Sequence, residues 1–345
     1  MSVARAALGA VAFVAASTVF AADARIERWN VGGPGGWDYL TADAASHRLY
    51  VPRFDRVMIV DTRDGHVVGT VPGTEGVHGV VLDRKSGKAY TSNGRGNSVT
   101  RFDVASLRVE ATYPIPGRGP DAIVFDESSN EIWTFNAKTR DATVLAADGR
   151  VVATVALAGK PEFAVGDARG TIFVNDEDHA TVIAIDVAAH RVRATWKLDD
   201  CEGPTGLALD AEHARLFSVC QNGHMSITDA VSGRHVATVP IGRGPDGAVF
   251  DAALGNAYSS NGRDGTVTVV HERDPDHFEV AATLDTEKSA RTIALDASDH
   301  RLFLAAARFE DAGNSSEPGH RPPMVPDSFA ILVVRPPVPP APTGR

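Results

Sequence analysis

The sequence predicts an all-β chain folded as a seven-bladed β-propeller, with four antiparallel strands in each blade and an N-terminal strand completing the last. Three observations predict it. An apolar run closed by aspartate recurs seven times, each recurrence holds several short strand-like runs, and the seventh unit lacks a strand that the N-terminus can supply.

The closing residues are Asp43, Asp83, Asp126, Asp167, Asp210, Asp251 and Asp296, at spacings of 40, 43, 41, 43, 41 and 45. A near-constant period of this size marks a repeat architecture. In the second unit, VVLD (80–83) is followed by the turn RKSG, then KAYTSN, the turn GRGN, SVTRFD and RVEATYPI. These runs are rich in β-branched and aromatic residues, are separated by Gly, Asn, Asp and Ser, and have the length of strands. Four strands in about 40 residues is the content of one propeller blade. A solenoid is the competing architecture, but its repeats are usually shorter and lack two hairpins per unit.

The last unit reads ARTIALD, RLFLAAA and SFAILVV, and then runs into the tail PPVPPAPTGR. It has no fourth strand after Val334. The spare strand RIERWNV (25–31) precedes the first blade and is expected to supply the outer strand of the seventh, which removes open edges. The chain is therefore divided into a signal peptide over 1–22, a propeller over 23–335 and a Pro-rich tail over 336–345. The first segment carries Arg5, an apolar stretch from Ala6 to Val19 and small residues at Ala21 and Ala22. That pattern is a cleavable export signal, and the apolar stretch is short for a bilayer span. The mature chain is expected to be periplasmic or secreted, monomeric and without a membrane span.

Composition narrows the function classes. The 345 residues are 43% hydrophobic with 32 Gly and 20 Pro, in keeping with a large core and many tight turns. The formal net charge of −10 argues against nucleic acid as a partner. Cys201 and Cys220 are the two cysteines. In an oxidising compartment they are expected to pair, because the hairpin returns Cys220 to the face from which Cys201 enters.

The units resemble the YVTN-repeat, YncE-like β-propellers of bacteria. The resemblance rests on YTSNG (90–94), YSSNG (258–262), WTFNA (133–137), GRGPDAIVFD (117–126) and GRGPDGAVFD (242–251), and it covers nearly all of the mature chain. The Asn is missing at YVPRF (50–54), FSVCQ (217–221) and FLAAA (303–307). The resemblance implies the fold; function has to be argued from a site.

The repeat supplies the site's coordinates. Five residues before each closing aspartate stand Asp38, His78, Asp121, Glu162, Thr205, Asp246 and Arg291, where the innermost strands begin at the channel mouth. The return strands end at Arg53, Asn93, Asn136, Asp176, Cys220, Asn261 and Ala306. Together these positions predict a polar, acidic funnel. Asp38, His78, Asp121, Glu162, Asp246, Arg291, Asn93, Asn136, Asp176 and Asn261 are its candidate ligand-binding residues. Carboxylates gathered round one mouth repel each other, and a cation would relieve that. Asp121, Glu162 and Asp246 are the candidate metal ligands, for Ca²⁺ or another divalent ion. The plain alternative is a water-filled channel with ordinary polar rims.

His47, His213 and His300 fall in turns on the opposite face and read as structural. His179 and His224 fall on the funnel side. The segment from Arg308 to Asp327 is far longer than the equivalent turns and is either a lid over the mouth or an unstructured insertion. No GxSxG, HExxH, CxxCH or Walker loop occurs, and no GxGxxG opens a helix. The expected function is therefore a non-catalytic binding or interaction protein whose funnel takes a small ligand, a cation or a partner segment. The alternatives are a lactonase-like metal hydrolase with its ion in the channel, and a cofactor-carrying propeller with His78 as axial ligand.

Overall fold

A computed structural model describes residues 24–310 and 322–337, an array of β-strands without helices. The candidate signal peptide therefore lies outside the described residues, as do the middle of the seventh-blade insertion and most of the tail.

The strands group into seven blades. Blades three to six are four-stranded antiparallel sheets, each in sequence order. Blades one and two share the continuous strand Val67–Asp83, whose first part is the outer strand of blade one, paired with Phe54–Asp61, and whose last part is the innermost strand of blade two, paired with Lys88–Asn93. They register as one seven-stranded sheet, so six hydrogen-bonded sheets hold seven blades. The seventh blade takes Ile293–Asp296, Arg301–Ala306 and Ala330–Arg335 from the C-terminal end and Arg25–Asn30 from the N-terminal end. That outer strand pairs antiparallel with the last one, from Arg25 opposite Arg335 to Asn30 opposite Ala330. The expected closure is present.

The core sits between blades rather than within them. Each blade is a sheet with two apolar faces, and each face must be covered by a neighbour. Seven separate clusters of buried apolar side chains fill the seven interfaces. The cluster that closes the ring joins Trp29, Phe303 and Ile331 of blade seven to Leu49, Val51 and Met58 of blade one. Outer strands alternate exposed and partly buried positions, as in Val109–Pro114 and Arg191–Lys197, because one end of each blade meets water.

The closing aspartate is a turn device. Asp83 accepts from the backbone N–H of Lys85 and Ser86, and Asp296 accepts from that of Ser298. Four residues after the aspartate comes left-handed backbone at His47, Gly87, Asn130, Ala214, Gly255 and His300. A carboxylate that satisfies the turn's own N–H groups explains why this position recurs as Asp.

The YTSN motif is likewise a set of ties. Tyr90 packs in the interface between blades two and three. Thr91 Oγ1 donates to Asn93 Oδ1 at 2.7 Å, and Asn93 Nδ2 donates to Ser98 and Thr100 of the next strand. Ser92 Oγ reaches across to the backbone carbonyl of Asp121 in the next blade. Ser260 does the same to the carbonyl of Arg291, and Asn175 to that of Thr205. The motif thus braces one strand pair and fixes where the neighbouring innermost strand begins.

Candidate ligand-binding site at the channel mouth

The innermost strands bring their first residues to a common centre. His78 Nδ1 lies 2.6 Å from Asp38 Oδ2 and 3.4 Å from Asp121 Oδ1. Arg291 pairs with Asp246 and stands 3.7 Å from Asp38, and its Nη2 donates to the carbonyl of Trp37 at 2.7 Å. Glu162 meets Lys160 at 3.0 Å. Contacts thus run from blade six through seven, one and two to three, and blade four adds Glu162. Thr205 stands apart, buried and donating to the carbonyl of Pro245.

The chain around the mouth explains some of its special residues. A Cβ on Gly94 would lie 2.6 Å from His78 Nε2, so only glycine lets the imidazole stand there. Arg53, fully buried, is turned away from the mouth. It donates to the carbonyls of Gly32, Gly33, Pro34, Gly35 and Gly36, and its guanidinium lies over the Phe329 ring at 3.5 Å. It therefore fastens the glycine-rich link between the closing strand and blade one. Burial, the main cause, lowers its pKa to about 10.

Electrostatics single out one side of the ring. Burial, and then the charge of Asp121, push Glu162 up to about 8 against the pull of Lys160. Burial, and then Asp38, push Asp121 up to about 6 despite His78. For His78 burial opposes the charge, but the hydrogen bond it donates to Asp38 and the charges of Asp121, Asp38 and Glu162 outweigh it and raise its pKa to about 9. Burial also works against Arg291, and the charges of Asp246 and Asp38 more than restore it. Asp121 Oδ1 and Glu162 Oε2 are buried oxygens without a hydrogen-bond donor, although each has a cationic neighbour. Carboxylates buried short of donors favour protonation or a bound cation.

The funnel has a floor, which the repeat register alone does not foretell. Tyr39, one residue past Asp38, is buried and sends its hydroxyl to Glu162 Oε1 at 3.4 Å. Its ring meets Phe163 edge-on at 4.8 Å. Burial, then the charges of Asp121 and Glu162, raise the phenol well above its ordinary value, so it stays neutral. Beyond this pair a cavity of about 410 Å³, lined by Val80, Ile123 and Phe125, runs to the end of the innermost strands where Arg84 and Glu127 stand.

The second expected tier does not reach the ring. Asn93, Asn136, Asp176 and Asn261 are fully buried. Asn136 is bonded to Asp141 and Thr143, Asn261 to Thr266 and Thr268, and Asp176 to His179. They brace their own blades because strand two is covered on both faces. His224 bonds to the carbonyl of Asp200, so it too lies outside the ring network. The expected metal trio is also divided: Asp246 is taken by Arg291 and Glu162 by Lys160. Instead Asp121 lies with Asp38 and His78, whose candidate ligand atoms all fall within 4.8 Å of one another.

Cys201 and Cys220 form a disulfide with their Cα atoms 5.3 Å apart. It pins the entry of the innermost strand of blade five to the end of its partner. The base of the long insertion is a short contact between its two ends, in which the Glu310 N–H donates to the carbonyl of Pro323 and the Val325 N–H to that of Arg308. Phe309, partly exposed, packs on Trp37 with ring centroids 6.1 Å apart, which sets this base beside Arg291.

No family model matches the chain, and no curated protein matches it in sequence. Solved structures match the fold. Virginiamycin B lyase from Staphylococcus aureus superposes with a TM-score of 0.71 at 12% identity, over 90% of this chain and 99% of that one. Hydrazine synthase from Kuenenia stuttgartiensis gives 0.69 at 14% identity, over 79% and 93%. The WD40 repeats of RRP9 give 0.74 at 10% identity, over 91% and 98%. At such identities the likeness extends to the propeller alone.

Proposed function

We propose that this chain is an exported, non-catalytic binding protein of the YVTN-repeat, YncE-like kind, whose channel mouth receives a small positively charged group. One observation carries the reading. Asp121 and Glu162 interact across neighbouring blades, each largely buried with one oxygen that accepts no hydrogen bond, over a floor formed by Tyr39 and Phe163. A closed floor gives a shallow cup that reads the end of a ligand. Two carboxylates with raised pKa values favour an ammonium group or a metal ion, whose binding expels the protons they hold. The disulfide supports an oxidising compartment, and with it the reading of residues 1–22 as an export signal. The propeller likeness to WD40 proteins supports an interaction role.

Calorimetric titration with spermidine and with Ca²⁺, in buffers of different ionisation enthalpy, tests this. One equivalent of either probe is expected to bind with release of protons, and binding is expected to vanish when Asp121→Asn and Glu162→Gln are combined. No binding by the wild-type chain, or equal binding by the double variant, defeats the reading.

A metal-dependent hydrolase is the second reading, because Asp38, His78 and Asp121 can offer one ligand atom each to one ion. Asn136 and Asn261 drop out of that ligand set, being enclosed in their blades. A bound ion would polarise a carbonyl. Lactone turnover that requires Zn²⁺ or Ca²⁺ and is lost in His78→Ala would establish it.

A further inference from the structure

Blade six breaks the repeat on the face opposite the mouth. Its outer hairpin, Thr266–Asp274 and His277–Asp285, has nine-residue strands where the corresponding strands of blades three and five have six. The extension leans over blade five, where Arg215 Nε donates to the carbonyl of Pro275 at 2.6 Å.

Within that extension lies Glu272. Its backbone N–H donates to the carbonyl of the turn residue Gly255. The equivalent bond is made by Thr62, Val104, Val187 and Ala230 in other blades, so these are its counterparts in the repeat. A position held elsewhere by a small or apolar side chain here holds a carboxylate with 3% of its side chain exposed. Neither of its oxygens accepts a hydrogen bond. His213 Nδ1 lies 2.8 Å from Oε1, the same Nδ1 lies 2.8 Å from Asp210 Oδ2, and Arg215 adds its charge from further off. Three residues after the closing aspartate, blades one, two and three carry Ser46, Ser86 and Ser129, blades four, six and seven carry Gly170, Leu254 and Asp299, and blade five alone carries an imidazole, His213. A carboxylate peculiar to blade six and an imidazole peculiar to blade five therefore meet at the closing turn carboxylate Asp210.

We propose that Asp210, His213 and Glu272 form a divalent transition-metal site, of the Zn²⁺ class, that clips blade five to blade six. One imidazole and two carboxylates, with candidate ligand atoms all within 4.8 Å, match the donor set such an ion takes. Bonds near 2.0–2.1 Å put tetrahedral ligand atoms roughly 3.3 Å apart, so the three must open slightly. His213 can provide that movement, with 42% of its side chain exposed. Its exposure also leaves water access to the fourth position. The buried Glu272 is otherwise unexplained, since a carboxylate enclosed with only a shared, half-exposed imidazole against it is costly, and small or apolar residues serve this position elsewhere.

Zn²⁺ titrated into the metal-stripped full chain, with its disulfide intact, tests the proposal by calorimetry. One equivalent is expected to bind and to raise the unfolding temperature. Glu272→Ala and His213→Ser insert residues that the repeat itself uses at these positions, so both should fold, and each is expected to weaken binding at least about tenfold. Asp121→Asn at the channel mouth is expected to retain the equivalent of Zn²⁺ that Glu272→Ala and His213→Ser lose, whatever ion the mouth itself takes. Absence of Zn²⁺ binding, or binding kept by both variants, overturns the proposal. So does binding lost in Asp121→Asn but kept in Glu272→Ala, which would put the ion in the mouth.

Discussion

Glu162 and His78 hold protons that the unfolded chain would release, and this ties the stability of the fold to pH. Glu162 is raised from 4.5 to about 8, so between those values the folded state binds a proton that the unfolded state has lost. Its contribution is full below about 4.5 and is lost as pH climbs through 8. His78, raised from 6.5 to about 9, acts in the same direction over the higher window. The unfolding temperature is therefore expected to fall between about pH 5 and pH 9. Glu162→Gln should remove the lower part of that decline, and a wild-type minus variant difference that stays constant from pH 5 to 8 would refute the assignment. These residues were legible in the sequence because a fixed offset from the closing aspartate places them on one end of every innermost strand. Tyr39 was not, because the offset gives an axial height and says nothing of a side chain long enough to cross the channel. Asn93, Asn136 and Asn261 were misplaced for a related reason. The register gives the face of a blade, whereas burial depends on the neighbouring blade that covers it.

Among the elements, blade five carries the chain's covalent staple. The disulfide between Cys201 and Cys220 spans 19 residues and fastens both ends of one innermost hairpin. Cross-linking a loop of this size stabilises a fold by about 3 kcal/mol through the unfolded state. Replacing both cysteines by alanine is expected to lower urea-unfolding stability by about that amount with little change at the mouth. An unchanged midpoint under matched conditions would show that the staple is redundant with the seven-cluster core. The pair could be read from the sequence because hairpin geometry returns the second cysteine to the first. The lengthened hairpin of blade six could not: its extra residues, His271 to His277, are polar and look like a turn. The pairing of Glu272 with Phe278 shows that they extend the strands, and the docking of Arg215 onto Pro275 that they form an interface.

At the scale of the whole molecule, closure is the step on which the rest depends, and it was written in the sequence as one strand too many at the start and one too few at the end. Arg28 donates to the carbonyl of Ser328 across a separation of 300 residues, and Trp29 completes the interface between the last and first blades. Such contacts form late, because the long loop must close before they contribute. Without Arg25–Asn30, the strand Ala330–Arg335 would present an unpaired edge with apolar side chains, a template for association. Arg53 would also lose its cage, because the carbonyls it binds belong to the link that follows this strand. A chain beginning at residue 37 is therefore expected to self-associate on size-exclusion chromatography and to unfold without a sharp transition. A peptide spanning residues 24–36, added in trans, should restore a monomer and raise the unfolding temperature, because it carries both the strand and the carbonyl cage. If the truncated chain stayed monomeric and unfolded at the full-length midpoint, the ring would be held by its inter-blade cores alone. The N-terminal strand would then be a cover rather than a clasp.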